Sequence, residues 1–314
     1  MTLCPRAKAE SELAALRRLG ARLVVLGDGE YPASLAAIDD APPVLALRGD
    51  GAVLARPAVA IVGARNASLN GVRVAQRLAA DLAAAGCAIV SGLARGIDTA
   101  AHDAAGPEAT VAVLAGGIDV VYPPENRALQ DRIGERGLLV AELPPGTEPL
   151  ARHFPRRNRI VSGLSLGVVV VEAAPLSGSL ITARFALEQG REVFAVPGSP
   201  LDPRSEGTNE LLRQGATLTT SAGDILTALG RQTACLAAPE GGETTPPDTA
   251  QINDSERKLV SDRLGATPVP VDELVRECQL SAAAVLTILL ELELAGRLAR
   301  HPGNQVSLTG LAES

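Results

Sequence analysis

Six short runs of apolar residues set the strongest constraint on how this chain can fold. Each run ends in a glycine or another turn residue, and the stretches between the runs, such as residues 72–85, have helical periodicity. The runs occupy residues 59–63, 87–92, 110–117, 137–142, 167–173 and 192–198. Near-continuous apolar strands that alternate with helices are typical of a parallel sheet covered on both faces. Residues 57–230 are therefore predicted to form one doubly wound, Rossmann-like α/β domain.

Shorter segments flank this domain. Residues 1–56 are interpreted as a lead-in with one helix and a strand over residues 22–26, too small for a domain of its own. Residues 231–253 are predicted to be a linker, since 236–253 contains three prolines and no apolar periodicity. Residues 254–314 are predicted to form a small winged-helix domain. Its expected elements are helices over 256–264, 271–278 and 281–294, with Ser281 capping the third, and a hairpin that turns at 302–304.

The charge balance limits what the chain can bind. A formal net charge of −7 over 314 residues excludes a uniformly basic nucleic-acid coat or a polybasic membrane binder, so any anion site must be local. Only Lys8 and Lys258 among the 29 basic residues are lysines. Arginine suits bidentate phosphate recognition, although a GC-rich genome accounts equally well for this usage.

The sequence also indicates a compartment. It has no signal-type apolar segment and no apolar run near the roughly 20 residues of a membrane helix. The four cysteines, Cys4, Cys87, Cys235 and Cys278, are far apart and have no metal-ligand spacing. We expect a cytoplasmic protein without a metal, a cofactor or a membrane partner.

Four loops at the ends of the predicted strands contain glycines, hydroxyls and arginines. Because ligands of open parallel sheets bind at the carboxyl ends of the strands, these loops predict one anion-binding cleft. Any single loop could be an ordinary tight turn, but four at one edge favour the cleft. The candidate residues are Gly63, Ala64, Arg65, Ser91, Gly92, Arg95, Gly116, Gly117, Ser177, Gly178 and Ser179.

Residues 152–159 form the sharpest charge feature, with four arginines in eight residues. On a helix that starts near Pro155, Arg156 and Arg159 share a face. Phe154 and Asn158 among these guanidinium groups suit a phosphate chain with a base stacked beside it. The alternative is a solvated helix face. The candidates for binding DNA here are Arg152, Phe154, Arg156, Arg157, Asn158 and Arg159.

Patterns that would indicate catalysis are weak, and no catalytic residue is predicted. Asp98 and His102 could pair near Ser91, but a capped helix with a surface histidine is the favoured interpretation. No G-x-S-x-G nucleophile elbow is present, since the GLSLG stretch at 163–167 precedes a predicted strand instead of following one. The chain lacks G-x-x-x-x-G-K-[ST], and its first loop is GARNAS instead of G-x-G-x-x-G. A mononucleotide-binding hydrolase or transferase and a pure protein adaptor stay open as alternatives.

Taken together, the motifs resemble the DNA-processing protein A (DprA, also Smf) family. The matching stretches include VAIVGARNAS (59–68), VSGLARGIDTAAH (90–102), VLAGGIDVVYPPEN (113–126), HFPRRNRIVSGLS (153–165) and EGTNELLRQGA (206–216). The resemblance implies a homodimeric, non-catalytic protein that binds and protects incoming single-stranded DNA. It also implies help in loading the RecA recombinase during natural transformation. The family's motifs fall on Gly63, Ala64 and Arg65, on Phe154, Arg157 and Asn158, and on Ser177, Gly178 and Ser179, with Arg65 as the phosphate-binding charge.

The sequence departs from the family pattern in three places. Two positions that are lysine in some members are Pro124 and Ala151, with Arg127 and Arg152 nearby. The helical domain that often precedes the lead-in is absent or reduced to a remnant at residues 1–20. The predicted third helix of the winged-helix domain is acidic and leucine-rich, which predicts a protein contact for that domain, either within its own dimer or with a partner. Arg297 and Arg300 are its only candidate DNA contacts.

Overall fold

The computed structural model describes residues 5–236, 253–265, 267–278, 280, 282–301 and 305–309. The chain divides into two compact units between residues 237 and 238. Within the described residues, no helix is both long enough and apolar enough to cross a membrane.

The first unit is built on one sheet with helices on both faces. Its strands are β1 (Ala21–Val25), β2 (Val44–Gly49), β3 (Ala58–Val62), β4 (Ala88–Ser91), β5 (Thr110–Gly117), β6 (Leu138–Leu143), β7 (Gly167–Val170), β8 (Glu192–Ala195) and β9 (Thr217–Leu218). Its helices are α1 (Arg6–Arg18), α2 (Ala33–Ala36), α3 (Leu69–Ala84), α4 (Ile97–Ala105), α5 (Arg127–Arg136), α6 (His153–Gly163), α7 (Gly178–Glu188), α8 (Glu206–Arg213) and α9 (Ala222–Leu236).

The strand order is β1-β2-β6-β5-β4-β3-β7-β8-β9. From β3 the chain adds β4, β5 and β6 in parallel on one side, then crosses over to place β7 beside β3 and continues to β8 and β9. The strand order therefore reverses between β3 and β7. In doubly wound sheets, a crevice for ligands opens outside the carboxyl ends of the strands at this point.

The six predicted strands are confirmed as β3 to β8, and burial on both faces explains their apolar composition. Along β3, Ala60 and Val62 pack into a core with α6 and α7. The alternate residues, Val59 and Ile61, pack into a second core with α3, α4 and α9. Successive side chains of a strand point to opposite faces, so a strand covered on both sides needs apolar residues at every position.

Two boundaries differ from the sequence predictions. The lead-in contributes β1 and also β2, which pairs antiparallel with β6 and covers that edge of the parallel sheet. Helix α9 extends through Leu236, so it includes the first six residues of the predicted linker. Residues 231–236 contain no glycine or proline that would end the helix.

The second unit has the predicted winged-helix elements. They are α10 (Asp254–Asp262), β10 (Val269–Pro270), α11 (Val271–Cys278), α12 (Ala282–Leu294), β11 (Leu298–His301) and β12 (Gln305–Leu308), with sheet order β10-β12-β11. Helix α10 starts two residues earlier than predicted because Asn253 and Glu256 form a capping box. The predicted cap at Ser281, the turn at 302–304 and the side chain of Arg300 lie outside what the structure describes.

Candidate functional site

A cleft of about 610 Å³ opens at the carboxyl ends of β3, β4 and β7, where the strand order reverses. Its walls come from the loops after these strands, from the first turns of α6 and from the start of α7. Of the predicted residues, the lining includes Gly63, Ala64, Arg65, Gly92, Phe154, Arg157, Asn158, Ser177, Gly178 and Ser179. The structure therefore brings together residues from all the stretches on which the family resemblance places a binding role.

The start of α7 forms one wall of the cleft. Ser177 is its N-cap, and the Ser177 hydroxyl accepts a hydrogen bond from the Ser179 backbone N–H at 3.4 Å. The two serine hydroxyl oxygens are 2.7 Å apart. The first N–H groups of a helix have no partner within the helix and, with the helix dipole, favour an anion. This wall therefore suits a phosphate group.

Arg65, Phe154 and Tyr122 form a stack at the mouth of the cleft. The Arg65 guanidinium lies over the Phe154 ring, 5.0 Å from its centroid. The rings of Phe154 and Tyr122 have centroids 5.4 Å apart and are tilted by 57°. Arg65 is exposed and forms no ion pair with a described residue. An exposed cation without a carboxylate partner is available to a phosphate.

The loop after β3, which carries Arg65, is held by a buried carboxylate. Glu172, at the end of β7, accepts hydrogen bonds from the Ser68 backbone N–H at 2.9 Å and the Ser68 hydroxyl at 2.5 Å. The same hydroxyl accepts from the Gly71 N–H and caps α3. This contact ties the loops after β3 and β7 to each other, so the two sides of the switch point keep a fixed spacing.

The floor of the cleft contains a buried arginine and a buried aspartate. Arg157 donates from Nη1 to the carbonyl oxygen of Val113 at 2.6 Å, while its Nε has no hydrogen-bond partner among the described residues. Burial lowers the pKa of Arg157 to about 10, against the opposite effect of the nearby Asp98 charge. A Cβ atom at Gly92 would collide with the Arg157 guanidinium, so a larger residue here would displace that group.

Asp98 organises the loop after β4. Its Oδ2 accepts hydrogen bonds from the backbone N–H groups of Gly92 at 3.1 Å and Ala94 at 3.3 Å. Burial raises the pKa of Asp98, while Arg157 and the backbone donors act in the opposite direction. The Gly92 amide is thus already bound within the protein. Gly92, predicted as a cleft residue, lines the cleft and gives the Arg157 guanidinium its space.

The favoured interpretation of His102 as a surface residue is wrong. The side chain is buried, its Nδ1 lies 2.6 Å from the Thr110 hydroxyl, and its Nε2 has no partner among the described residues. Burial, followed by the charge of Arg157, lowers the pKa of His102 to about 3. The hydroxyl of Ser91 is also buried and donates to the Ile61 carbonyl at 2.6 Å. Ser91 therefore joins adjacent strands instead of facing a ligand.

A second face of α6 carries arginines that point away from the cleft. The Oε1 atom of Glu142 accepts from Arg156 Nη2 at 2.8 Å and from Arg159 Nη2 at 2.7 Å. Arg159 also donates to the Asp40 carbonyl at 2.5 Å. The side chains of Arg159 and Glu142 are 8% and 10% exposed, whereas that of Arg156 is 57% exposed. We call Asp40, Glu142, Arg156 and Arg159 the α6 ion-pair cluster.

This cluster corrects part of the sequence prediction. Arg156 and Arg159 do share a helix face, but that face binds the lead-in and β6, and Arg159 is too buried to contact DNA. Four arginines close together in sequence therefore divide between two different roles.

The remaining predicted residues lie outside the main cleft. Arg95 is exposed and forms an ion pair with Glu125. Gly116 borders a small adjoining groove, and the Gly117 N–H donates to the Thr147 carbonyl at 2.9 Å. Arg152 is exposed at the N-cap of α6.

The sequence reasoning missed several residues at the site. Tyr122 belongs to the stack, and Asn66, Asp98 and Arg204 line the cleft. A signal for Tyr122 exists, since it is one of only two tyrosines and follows the end of a predicted strand. Among the described residues, no group of three His, Cys, Asp or Glu side chains is placed to share a metal ion.

Fold and site together define a Rossmann-like α/β protein with a cleft at the switch point and a winged-helix unit. The family model described as DNA recombination-mediator protein A matches residues 22–230, and a model for the DprA winged helix domain matches residues 244–304. The chain belongs to the DNA recombination-mediator protein A family, which confirms the resemblance to DprA and Smf proteins.

Individual relatives agree with this assignment. Protein Smf of Escherichia coli (strain K12) is 42% identical over 309 residues, covering 97% of this chain and 82% of the relative. The X-ray structure of DNA processing protein A from Streptococcus pneumoniae has a TM-score of 0.67 at 44% identity, covering 71% of this chain and 78% of that one. The Helicobacter pylori protein, whose structure concerns its single-stranded DNA binding mode, has a TM-score of 0.61 at 31% identity. That match covers 67% of this chain and 97% of the other.

Proposed function

We propose that this protein binds single-stranded DNA in the cleft, protects the incoming strand and helps load the RecA recombinase onto it during natural transformation, without catalysing a reaction. The observation that carries the proposal is the position of Arg65, a cation without an ion-pair partner among the described residues. It lies over an aromatic ring in a cleft that the start of α7 also lines. Such a combination offers one group for a phosphate and another for a base.

The phosphate contacts would follow from the cleft walls. Arg65 and the first N–H groups of α7 supply favourable charge. Asn158 joins α6 to the start of α7 by donating from Nδ2 to the Gly178 carbonyl at 3.1 Å. Arg157 adds positive charge at the floor of the cleft, which it lines. Arg152, exposed at the N-cap of α6, is proposed to guide a longer strand. With a net charge of −7 on the whole chain, affinity depends on this local set.

The enzyme alternative receives less support from the geometry. A nucleophile would need an accessible hydroxyl beside a base, but Ser91 and His102 are both buried. The His102 imidazole instead faces the Thr110 hydroxyl. The hydroxyls of Ser177 and Ser179 bond to each other, and that of Ser177 also accepts from the Ser179 N–H. We therefore favour binding over hydrolysis or group transfer.

The winged-helix unit is proposed to contact protein. Leu286, Leu290 and Leu294 on α12 are 48%, 51% and 81% exposed, and residues 282–294 include no lysine or arginine. Glu291 pairs with Arg257 of α10. Helices that read DNA present basic and polar side chains, so this surface suits an apolar partner better than phosphates. The family resemblance further supports a homodimer, action in the cytoplasm and contact with RecA.

The test of the function compares ligands by fluorescence anisotropy and thermal shift. Labelled oligo-dT should bind with an affinity that falls steeply between 50 and 200 mM salt, because each phosphate neutralised on a single strand releases about 0.7 counterion. A duplex of the same length should bind more weakly. Stabilisation by mononucleotides, with no binding of oligo-dT, would support the enzyme alternative instead.

A further inference from the structure

Tyr122 is the exposed outer ring of the stack formed with Phe154 and Arg65. It is 46% exposed, and it borders a small groove of about 10 Å³ shared with Gly116, Val120 and Pro149. Within the described residues, its ring contact is with Phe154. A ring in this position presents apolar surface to solvent beside the cleft.

The Phe154 ring is partly covered and is therefore less accessible to a base than its place in the cleft lining suggests. The Arg65 guanidinium covers its ring, and Tyr122 packs against it in a tilted arrangement. A base that stacks on the Phe154 face that Arg65 covers has to displace the guanidinium. The Tyr122 ring needs no such rearrangement, because much of its surface already faces solvent.

We infer that the exposed face of Tyr122 stacks on a base of the bound strand and creates a second base position beside the cleft. This inference rests on the proposed function, since it requires a single strand whose phosphates lie near Arg65. Stacking on an aromatic ring tolerates any base, because every base has a π-face. The phenol hydroxyl can stay in water while the ring is covered, which suits an amphipathic side chain at the edge of a groove.

The chain offers its own spectroscopic probe for this contact. It contains no tryptophan and only two tyrosines, Tyr31 and Tyr122. Tyr31 is buried, its hydroxyl donates to the Pro42 carbonyl at 2.7 Å, and burial raises its pKa to about 12. Tyrosine emission that changes when DNA binds therefore reports on Tyr122.

The first experiment titrates oligo-dT into wild type, Tyr31→Phe and Tyr122→Phe while tyrosine emission is followed. We expect emission to fall to a plateau in wild type and in Tyr31→Phe, in step with binding measured by anisotropy. Tyr122→Phe should bind DNA with no such fall, since the remaining tyrosine lies in the core. Quenching that persists in Tyr122→Phe, or that is absent from wild type while DNA binds, would overturn the inference.

The second experiment measures affinity for oligo-dT and for an abasic strand of the same length. Tyr122→Ala should weaken oligo-dT binding about tenfold, and Tyr122→Phe should stay within about twofold of wild type. Binding of the abasic strand should be alike in all three proteins, and the salt dependence should not change, because no phosphate contact is lost.

Two results separate the failure of this inference from failure of the proposed function. Equal oligo-dT affinities for wild type and Tyr122→Ala, or an equal loss on the abasic strand, would overturn the role of Tyr122 alone. No binding of oligo-dT by wild type would overturn the proposed function and this inference with it.

Discussion

On one face of α6, Phe154 and Arg157 line the cleft, whereas on another face Arg156 and Arg159 converge on Glu142. Both faces carry arginines from the same short run of sequence. The two faces differ in whether a carboxylate pairs with the arginines, because the buried carboxylate of Glu142 neutralises charge on the second face. On the cleft side, Arg65 has no carboxylate partner among the described residues. The comparison teaches that arginine density does not locate an anion site, whereas the charge left without a partner does.

The largest expected effect is on stability, at the α6 ion-pair cluster. Arg159→Met should lower the free energy of unfolding by about 3 kcal/mol, because it removes the buried partner of a buried carboxylate. Urea denaturation measures this loss. DNA affinity of the folded variant should stay within about twofold of wild type.

Arg156→Ala is the matched control for that variant. The Arg156 side chain pairs with the same Glu142 but is more than half exposed. Its removal should therefore lower the free energy of unfolding by about 0.5 kcal/mol or less. Equal losses in the two variants would remove the distinction between a buried and an exposed arginine on this face.

Low pH should lower the stability of the cleft side of the molecule, through His102 on α4. The pKa of His102 is about 3 in the folded protein and near 6.5 in the unfolded chain, so the unfolded state binds the extra proton between these values. The free energy of unfolding is therefore highest above pH 6.5, where His102 is neutral in both states. It falls as the pH drops from 6.5 towards 3, because only the unfolded chain takes up the proton. At pH 5 the loss should be about 2 kcal/mol.

The measurement is urea denaturation at pH 7.5 and pH 5 for wild type and His102→Gln. Because carboxylates titrate in both proteins, the informative quantity is the difference between their pH dependences. If the two proteins lose the same stability between these pH values, His102 does not stay neutral in the folded state.

These outcomes bear on how far the sequence alone can be interpreted. The six parallel strands were predictable because burial on both faces requires apolar residues at each position, as Val59 to Val62 of β3 illustrate. Strand β2 was not predicted, since it depends on pairing with β6, a strand about 90 residues further along the chain. Helical spacing correctly places Arg156 and Arg159 together. It could not reveal that Glu142 binds both arginines and that Asp40, distant in sequence, also binds Arg159.

A smaller effect is expected at the start of α7. Ser177→Ala should cost about 1 kcal/mol of stability through loss of the N-cap. Ser177→Asp should restore the cap and the stability, while its negative charge lowers oligo-dT affinity by roughly tenfold if a phosphate binds at this helix terminus. The two variants together separate the structural role from the binding role. Unchanged affinity in Ser177→Asp would place the phosphates elsewhere.

The smallest effect is expected from removal of the winged-helix unit. A chain that ends at residue 236 keeps the whole cleft, since the two compact units divide between residues 237 and 238. Anisotropy with oligo-dT should show an affinity within about threefold of the full chain, roughly 0.6 kcal/mol. A much greater loss would assign a direct DNA contact to the second unit.

The central claim is that an arginine binds DNA here only where its charge has no carboxylate partner. The most direct test measures oligo-dT affinity by anisotropy over a range of salt concentrations for wild type, Arg65→Ala and Arg156→Ala. Both variants remove an exposed arginine, one in the cleft and one in the ion-pair cluster. The account predicts about a tenfold loss for Arg65→Ala, with the salt slope reduced by about 0.7, and little change for Arg156→Ala. Equal losses in the two variants, or a greater loss for Arg156→Ala, would contradict it.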